Sequence, residues 1–359
     1  MTAGFFSPLP PEPTGVADYS ASLLRAMRRQ GKVSVNGAGA PLYHLGNNRL
    51  HREIYERALR RPGLSVLHDA VLHHFLLGTL KEPDYVAEFT HNYGEWSAAL
   101  ALDLWVRRAR SAGDPEYFRY PMLRRIAEAS TGVVVHNAAA ARMVKEHAPN
   151  ARIFEIPHLF DAPPEPAPAQ VERLRERLGI TPSTTLFAVL GHLRESKRLG
   201  SVLRAFEAVR GDGRAKLLIA GDVVSSDYER SIAPLLQSPG VIRLPALPER
   251  EWWLHAHAVD VCINLRYPQA GETSGIAVRM MGIGKPVLVT AGDHTPGCVP
   301  VDPGPAESGM LAEMMRWLAR FPDDALSLGA GARRHIRDHH DPDRVARLYW
   351  KAIEESAGA

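Results

Sequence analysis

Two doubly wound, Rossmann-like α/β domains are the architecture this sequence predicts, and three observations predict it. A chain of 359 residues is long for one core and typical of two. Short apolar runs alternate with helical patterns along its length, as in parallel sheets with crossover helices. Near the middle, the segment 160–170 (FDAPPEPAPAQ) holds four prolines and reads as an interdomain linker. The expected division is a first domain over 1–160, a linker region over 161–182 and a second domain over 183–338. A C-terminal helix over 339–359 is expected to pack back on the first domain.

In the first half the apolar runs predict strands at Gly4–Ser7, Pro41–Leu45, Ser65–Leu67 and Gly132–His136. Helical spacing predicts helices over Asp18–Gln30, Asn48–Arg60, Leu72–Leu80, Asp84–Ser111 and Pro121–Ser130. After the linker comes a charged helix, Val171–Leu178. Strands follow at Thr185–Leu190, Lys216–Ala220, Val241–Leu244, Val259–Leu265 and Pro286–Thr290. Helices over Leu199–Val209, Asp227–Leu236, Pro248–Ala256 and Ile276–Ile283 separate them. Three more helices, near Gly309–Phe321, Asp323–His335 and Pro342–Ser356, close the chain, with Asp341 as the N-cap of the last. In open sheets of this kind ligands bind beyond the carboxyl ends of the strands, so the strand-end residues are the candidates for chemistry.

Bulk properties exclude several classes. Hydrophobic content of 45% and charged content of 23% are those of a globular protein. A net charge of +3 suits anionic ligands or an anionic membrane surface and selects neither. No 18-residue apolar run predicts a membrane span, and MTAGFFSPLPPEPTG lacks the features of a signal peptide. A cytoplasmic location is the expectation. Cys262 and Cys298 make no disulfide framework. No G-x-G-x-x-G or P-loop pattern occurs, and no basic and aromatic stripe suggests nucleic acid.

The most informative segment is 269–290, QAGETSGIAVRMMGIGKPVLVT. A buried strand delivers Glu272, between Gly271 and Gly275, to a helix start flanked by Thr273 and Ser274. Helix-end amides there favour anions, so the segment suits a phosphorylated polyhydroxy ligand or serves only as an N-cap turn. Lys285, in the Gly-Lys-Pro turn at the helix end, reads as a structural lysine answering the C-terminal dipole. Four other strand ends carry candidates. The loop 8–19 (PLPPEPTGVADY) places Gly15 before a helix whose N-cap is expected to be Asp18. His68 and Asp69 follow SVL, with Asp69 expected to cap the next helix. His136 and Asn137 follow GVVV, and Asn47 and Asn48 follow YHLG as turn formers or ligand-facing groups. GHLRESK (191–197) sets His192, Arg194 and Lys197 after the strand TTLFAVL. His68, His73 and His74 lack an acidic or Cys partner for a metal. The pair Trp252 and Trp253 reads as core or a domain face.

GETSGIAVRMMGIGKPV resembles the donor-sugar loop and following helix of retaining glycosyltransferases of the GT-B fold, family 4. SPLPPEPTGVADYS, SVLHDAVLHHF, VVVHNAAAARMV and GHLRESK resemble further segments of that family, so the resemblance covers nearly the whole chain. It implies a GT-B protein with a cleft between an acceptor-side first domain and a donor-binding second domain. It implies a metal-independent hexosyltransferase, without cofactor, that uses a nucleotide-diphospho-sugar and an acceptor hydroxyl. Under it, Arg194 and Lys197 hold the diphosphate, and Glu272 binds sugar hydroxyls. His68 lines the donor-sugar site, Gly15 approaches the phosphate, and His192, Thr273, Ser274 and Gly275 contact the donor. Leu244 and its neighbours would line the base pocket. Asn47, Asn48, His136 and Asp18 would face the acceptor. Two departures stand out. His192 occupies the family's arginine position, and the family's second carboxylate is absent, its place falling on Met280 or Arg279. The alternatives are a degenerate nucleotide-sugar-binding member without transfer activity and another GT-B enzyme such as an epimerase. Arg107, Arg108 and Arg110 suggest peripheral contact with anionic lipid at the inner face of the membrane, or a solvated helix face.

Overall fold

The structure, a computed structural model, describes residues 1–223, 225–292 and 298–357. The chain divides into two compact units. The first comprises Met1–Asp161, Pro268–Thr273 and His339–Ala359, and the second Ala162–Tyr267 and Ser274–Asp338. The short segment carrying Glu272 therefore clusters with the first unit.

In the first unit the order is β1 (Thr2–Phe6), α1 (Gly15–Arg28), β2 (Lys32–Val35), β3 (Ala40–Leu45), α2 (Arg52–Arg60) and β4 (Leu64–Leu67). There follow α3 (His73–Thr79), α4 (Glu82–Tyr93), α5 (Ala98–Arg107), α6 (Arg124–Ala129), β5 (Gly132–Val135), α7 (Ala138–His147) and β6 (Ile153–Glu155). Its six strands pair in the order β2-β1-β3-β4-β5-β6, all parallel. β4 and β5 are buried at every residue, as strands covered on both faces must be. The helical pattern expected over 84–111 is broken at Gly94, whose φ of 94° is outside the helical region.

The second unit holds α8 (Pro168–Arg177), β7 (Thr185–Leu190), α9 (Leu199–Val209), β8 (Ala215–Ala220), α10 (Ser226–Leu236), β9 (Val241–Leu244), α11 (Glu249–Ala258) and β10 (Val261–Asn264). It continues with α12 (Gly275–Gly282), β11 (Val287–Thr290), β12 (Cys298–Val301), α13 (Glu307–Arg320) and α14 (Pro322–His339). Its parallel sheet runs β12-β11-β10-β7-β8-β9. β7 and β8, the longest pair, align Thr185 with Ala215 through Leu190 with Ala220. A core of Phe187, Val202, Phe206, Leu217, Ile219 and Met315 lies on one face of this sheet.

The last helix, α15 (Pro342–Ala357), belongs to the first unit, where Val345, Tyr349 and Ile353 pack with Tyr19, Leu23 and Met27 of α1. Asp341 caps it by accepting from Arg344 N at 2.8 Å, and Asp343 pairs with Arg29.

Candidate functional site

In the second unit the polar groups converge at the carboxyl ends of β7 and β10. β7 ends at Leu190, and a single 3₁₀ turn, Glu195–Lys197, returns Lys197 to the sheet. Lys197 is 7% exposed. Its ammonium donates to Asn264 Oδ1 at 2.7 Å and lies 3.5 Å from Leu190 O. Asn264 is the last residue of β10 and only 2% exposed. The same turn is tied to the segment after β10 by Tyr267 N, which donates to Ser196 O at 2.8 Å. Arg266 donates its backbone N–H to Thr290 Oγ1 at 2.8 Å, and its guanidinium lies 3.4 Å from Ser274 Oγ. Ser274 is the N-cap of α12 and accepts from Ala277 N. A cation, an amide and a helix start thus share one strand-end cluster, a combination that binds anions.

Three neighbouring positions are more open. His192 and Arg194 are exposed, and neither side chain has a partner among the described residues. Arg198 stands at φ 56°, pairs with the buried Glu307 and lies over the Tyr267 ring at 5.7 Å. Arg243 folds over the ends of β8 and β9, donating to Gly221 O at 2.5 Å and to Leu244 O. Neither position counted for a second carboxylate supplies one. Met280 is fully buried, and Arg279 lies within 6 Å of both Trp252 and Trp253. Lys285 answers a different helix from the one expected: burial lowers its pKa, and it donates to His257 O in the last turn of α11 at 2.9 Å.

In the first unit the expected residues are drawn into two structural networks. The loop carrying Glu272 is held by Asn137, whose Nδ2 donates to Gly271 O and to Thr273 Oγ1, both at 2.9 Å. Asn137 Oδ1 at the same time caps α7. Gly271 has φ 67°, and a Cβ there would meet Ala70 Cβ at 2.7 Å, so the close approach requires glycine. The Glu272 carboxylate turns back to accept from Ala270 N at 2.8 Å.

The second network is a chain of imidazoles. His136 Nδ1 meets Ile156 O at 3.0 Å, which requires an N–H on that nitrogen and leaves Nε2 as an acceptor. His68 Nδ1 lies 3.2 Å from His136 Nε2, and His44 Nδ1 lies 3.0 Å from His68 Nε2. Neutral rings satisfy all three contacts in one direction, His44 to His68 to His136 to the carbonyl. His51 Nδ1 contacts His44 O at 2.9 Å. Burial lowers the pKa of all four, to about 4 for His51 and His136 and well below the usual range for His44 and His68. His68, expected to line a sugar site, therefore has both ring nitrogens engaged within this chain.

Several expected roles change. α1 is capped by Thr14, which accepts from Val16 N, and Asp18 is an exposed residue of its first turn. The threonine wins because the helix begins at Gly15, three residues before Asp18. α3 is capped from a distance: Asn47 Oδ1 accepts from Phe75 N at 2.7 Å, while Asp69 accepts from Asn47 N at 2.8 Å. Asn48 caps the 3₁₀ turn Arg49–His51. His73 bridges Tyr117 O and the Tyr85 hydroxyl, and His74 contacts Ser111 O.

No family model and no curated protein matches this sequence. Solved structures do. The chain is similar to HepE of Anabaena in complex with UDP-glucose, at 14% identity and a TM-score of 0.64 over 99% of this chain and 100% of that one. It is similar to the sucrose-phosphate synthase of Thermosynechococcus elongatus, at 13% identity and a TM-score of 0.70 over 99% and 98%. WaaG, a glycosyltransferase involved in lipopolysaccharide biosynthesis, matches at 14% identity and 0.62 over the full length of both. The fold is GT-B. Its two Rossmann-like sheets explain why the polar residues of each unit gather at strand ends. Among the described residues, no group of three His, Cys, Asp or Glu is placed to hold a metal ion.

Proposed function

We propose that this protein is a glycosyltransferase that moves a hexose from a nucleotide-diphospho-sugar to an acceptor hydroxyl, with retention and without a metal. The observation that carries the reading is the buried Lys197 ammonium at the end of β7, joined through Asn264 to the strand whose following segment reaches the cap of α12. Fixed cations at that place stabilise the charge that develops on a departing diphosphate. HepE, which shares the fold, binds UDP-glucose. Arg194, exposed beside the same turn, is a second diphosphate group, and His192, Ser274, Gly275, Thr273 and Gly15 are donor contacts. Glu272 binds sugar hydroxyls. As the C1–O bond to the diphosphate breaks, a leaving-group oxygen takes the acceptor proton, and the acceptor oxygen bonds C1 on the same face. His68 acts through the position its imidazole chain gives it. Asn47, Asn48, His136 and Asp18 keep their acceptor-side assignment, although the side chains of the first three already serve internal contacts.

A second reading has one observation in its favour. With Met280 buried and Arg279 against two tryptophans, neither counted position offers a carboxylate for the ribose, which suits a binding protein without transfer activity. Incubation with UDP-, GDP-, ADP- and dTDP-hexoses and a mixed acceptor pool separates the two. Transfer is expected with an α-linked product from an α-linked donor, in EDTA, and lost in Glu272→Ala and Lys197→Ala. A β-linked product from that donor would refute retention, and binding without any transfer would favour the second reading.

The location proposed is the cytoplasm, with peripheral contact at an anionic membrane through α5. Leu102 and Val106 are exposed there, Trp96 stands just before the helix, and Arg108 and Arg110 follow it. Among the described residues no helix is long and apolar enough to cross a membrane. Changing Val106 and Arg110 to Glu should abolish flotation with anionic vesicles; unchanged flotation would sink the idea.

A further inference from the structure

The side-chain amide of Asn264 is oriented by a simple constraint. An ammonium has donors and no acceptor, so only the oxygen of the amide can face Lys197, and the 2.7 Å contact is to Oδ1. The NH₂ group must then point elsewhere. It is buried, and it has no hydrogen-bond partner among the described residues. Buried side-chain donors without partners are few in folded proteins, and each calls for a reason. This one belongs to the last residue of β10, paired with Val289 of β11, at the edge of the sheet where open α/β folds bind ligands.

We infer that Asn264 is a further donor-binding residue, whose NH₂ group donates to an oxygen of the nucleoside diphosphate that Lys197 attracts. This rests on the glycosyltransferase reading and adds a residue to its donor site. The residue type fits the task in two ways. The amide oxygen holds Lys197 in place without cancelling its charge, as a carboxylate in the same position would. The amide nitrogen then adds a neutral donor beside a cation, and the two together can meet two oxygens of one diphosphate. An aliphatic residue, which would complete the apolar run VDVCINL, could do neither.

Calorimetric titration with UDP, GDP, ADP and dTDP tests the inference, using the whole chain and the variants Asn264→Ala, Asn264→Asp and Lys197→Met. A merely positioning Asn264 and a ligand-binding one differ most in Asn264→Ala on the Lys197→Met background, where no ammonium is left to position, and Asn264→Asp adds a second check. The carboxylate still accepts from Lys197, so the melting temperature should hold. Yet the donor is lost and a negative charge faces the phosphate, so binding should weaken about tenfold or more. Asn264→Ala in the Lys197→Met background should weaken binding again, because the amide donates in its own right. Binding unchanged in Asn264→Asp overturns the inference and leaves the donor site standing. So does a loss in Asn264→Ala that disappears in the Lys197→Met background, since Asn264 would then only position the lysine. Wild-type protein that binds none of the four overturns both the inference and the reading beneath it.

Discussion

Acidification should unfold the first unit through its imidazole chain before carboxylates titrate fully. His51 and His136 have pKa values near 4 in the folded protein against 6.5 for an ordinary histidine, because burial disfavours their charged forms. Above the unfolded value both states are neutral and stability is full. As pH falls below about 6.5 the unfolded chain takes up protons that the folded chain refuses, so stability is lost down to the folded value. Each group then costs about 1.4 kcal/mol per pH unit, so the two together give a slope of about 2.7. At pH 5 the loss is about 2 kcal/mol each, or about 4 in all, a large part of a typical stability. His44 and His68, shifted in the same direction by the same burial, steepen the slope further. Among the described residues, the charges acting on the chain are those of other imidazoles, His158 included, and no carboxylate is among the causes of its shifts. Tyr19 and Tyr349 are held neutral by burial, share a 2.8 Å hydrogen bond and contact His44 or His68 edge-on or tilted. Urea unfolding followed by circular dichroism between pH 8 and pH 5 would read the slope. His136→Gln should lower it by about 1.4 kcal/mol per pH unit. A flat profile from pH 7 to pH 5, or an unchanged slope in His136→Gln, would refute this account of the cluster.

Three further outcomes follow from the packing. Gly221→Ala should cost about 2–3 kcal/mol, because its φ is 146° and a Cβ would lie 2.0 Å from Gly191 O; a thermal melt within a degree of wild type would contradict it. Tyr349→Phe alone should cost about 1–3 kcal/mol by orphaning the Tyr19 hydroxyl, while Tyr19→Phe with Tyr349→Phe costs less than the sum; strict additivity in urea would contradict the pairing. Asp341→Ala should remove about 1 kcal/mol with the cap of α15, seen as a lower urea midpoint.

The buried strands were the most legible part of the fold, and the expectations fail where burial thins out. β7 and α9 have their expected bounds, since a continuous apolar run and a clear helical face announce them; β9 has its expected bounds too, although it is a half-buried edge strand. The strands without a signal are β2, β6 and β12, all at or near sheet edges, where residues are half-exposed and short. At the candidate site the sequence showed which residues stand at strand ends and little of what they touch. His44, His51, His68 and His136 come from four separate loops or strands, and only parallel pairing of β3, β4 and β5 assembles them. Asn264 did carry a signal, an amide inside the apolar run VDVCINL, but its meaning depends on Lys197, 67 residues earlier.

Thermal unfolding of the wild-type protein with UDP, GDP, ADP or dTDP tests the central claim most directly. A nucleoside diphosphate at a hundredfold its dissociation constant should add about 2.7 kcal/mol of stability, and Lys197→Ala, binding more weakly, should lose most of that gain. Stabilisation by none of them, or a gain that survives Lys197→Ala undiminished, would contradict a donor site at the end of β7.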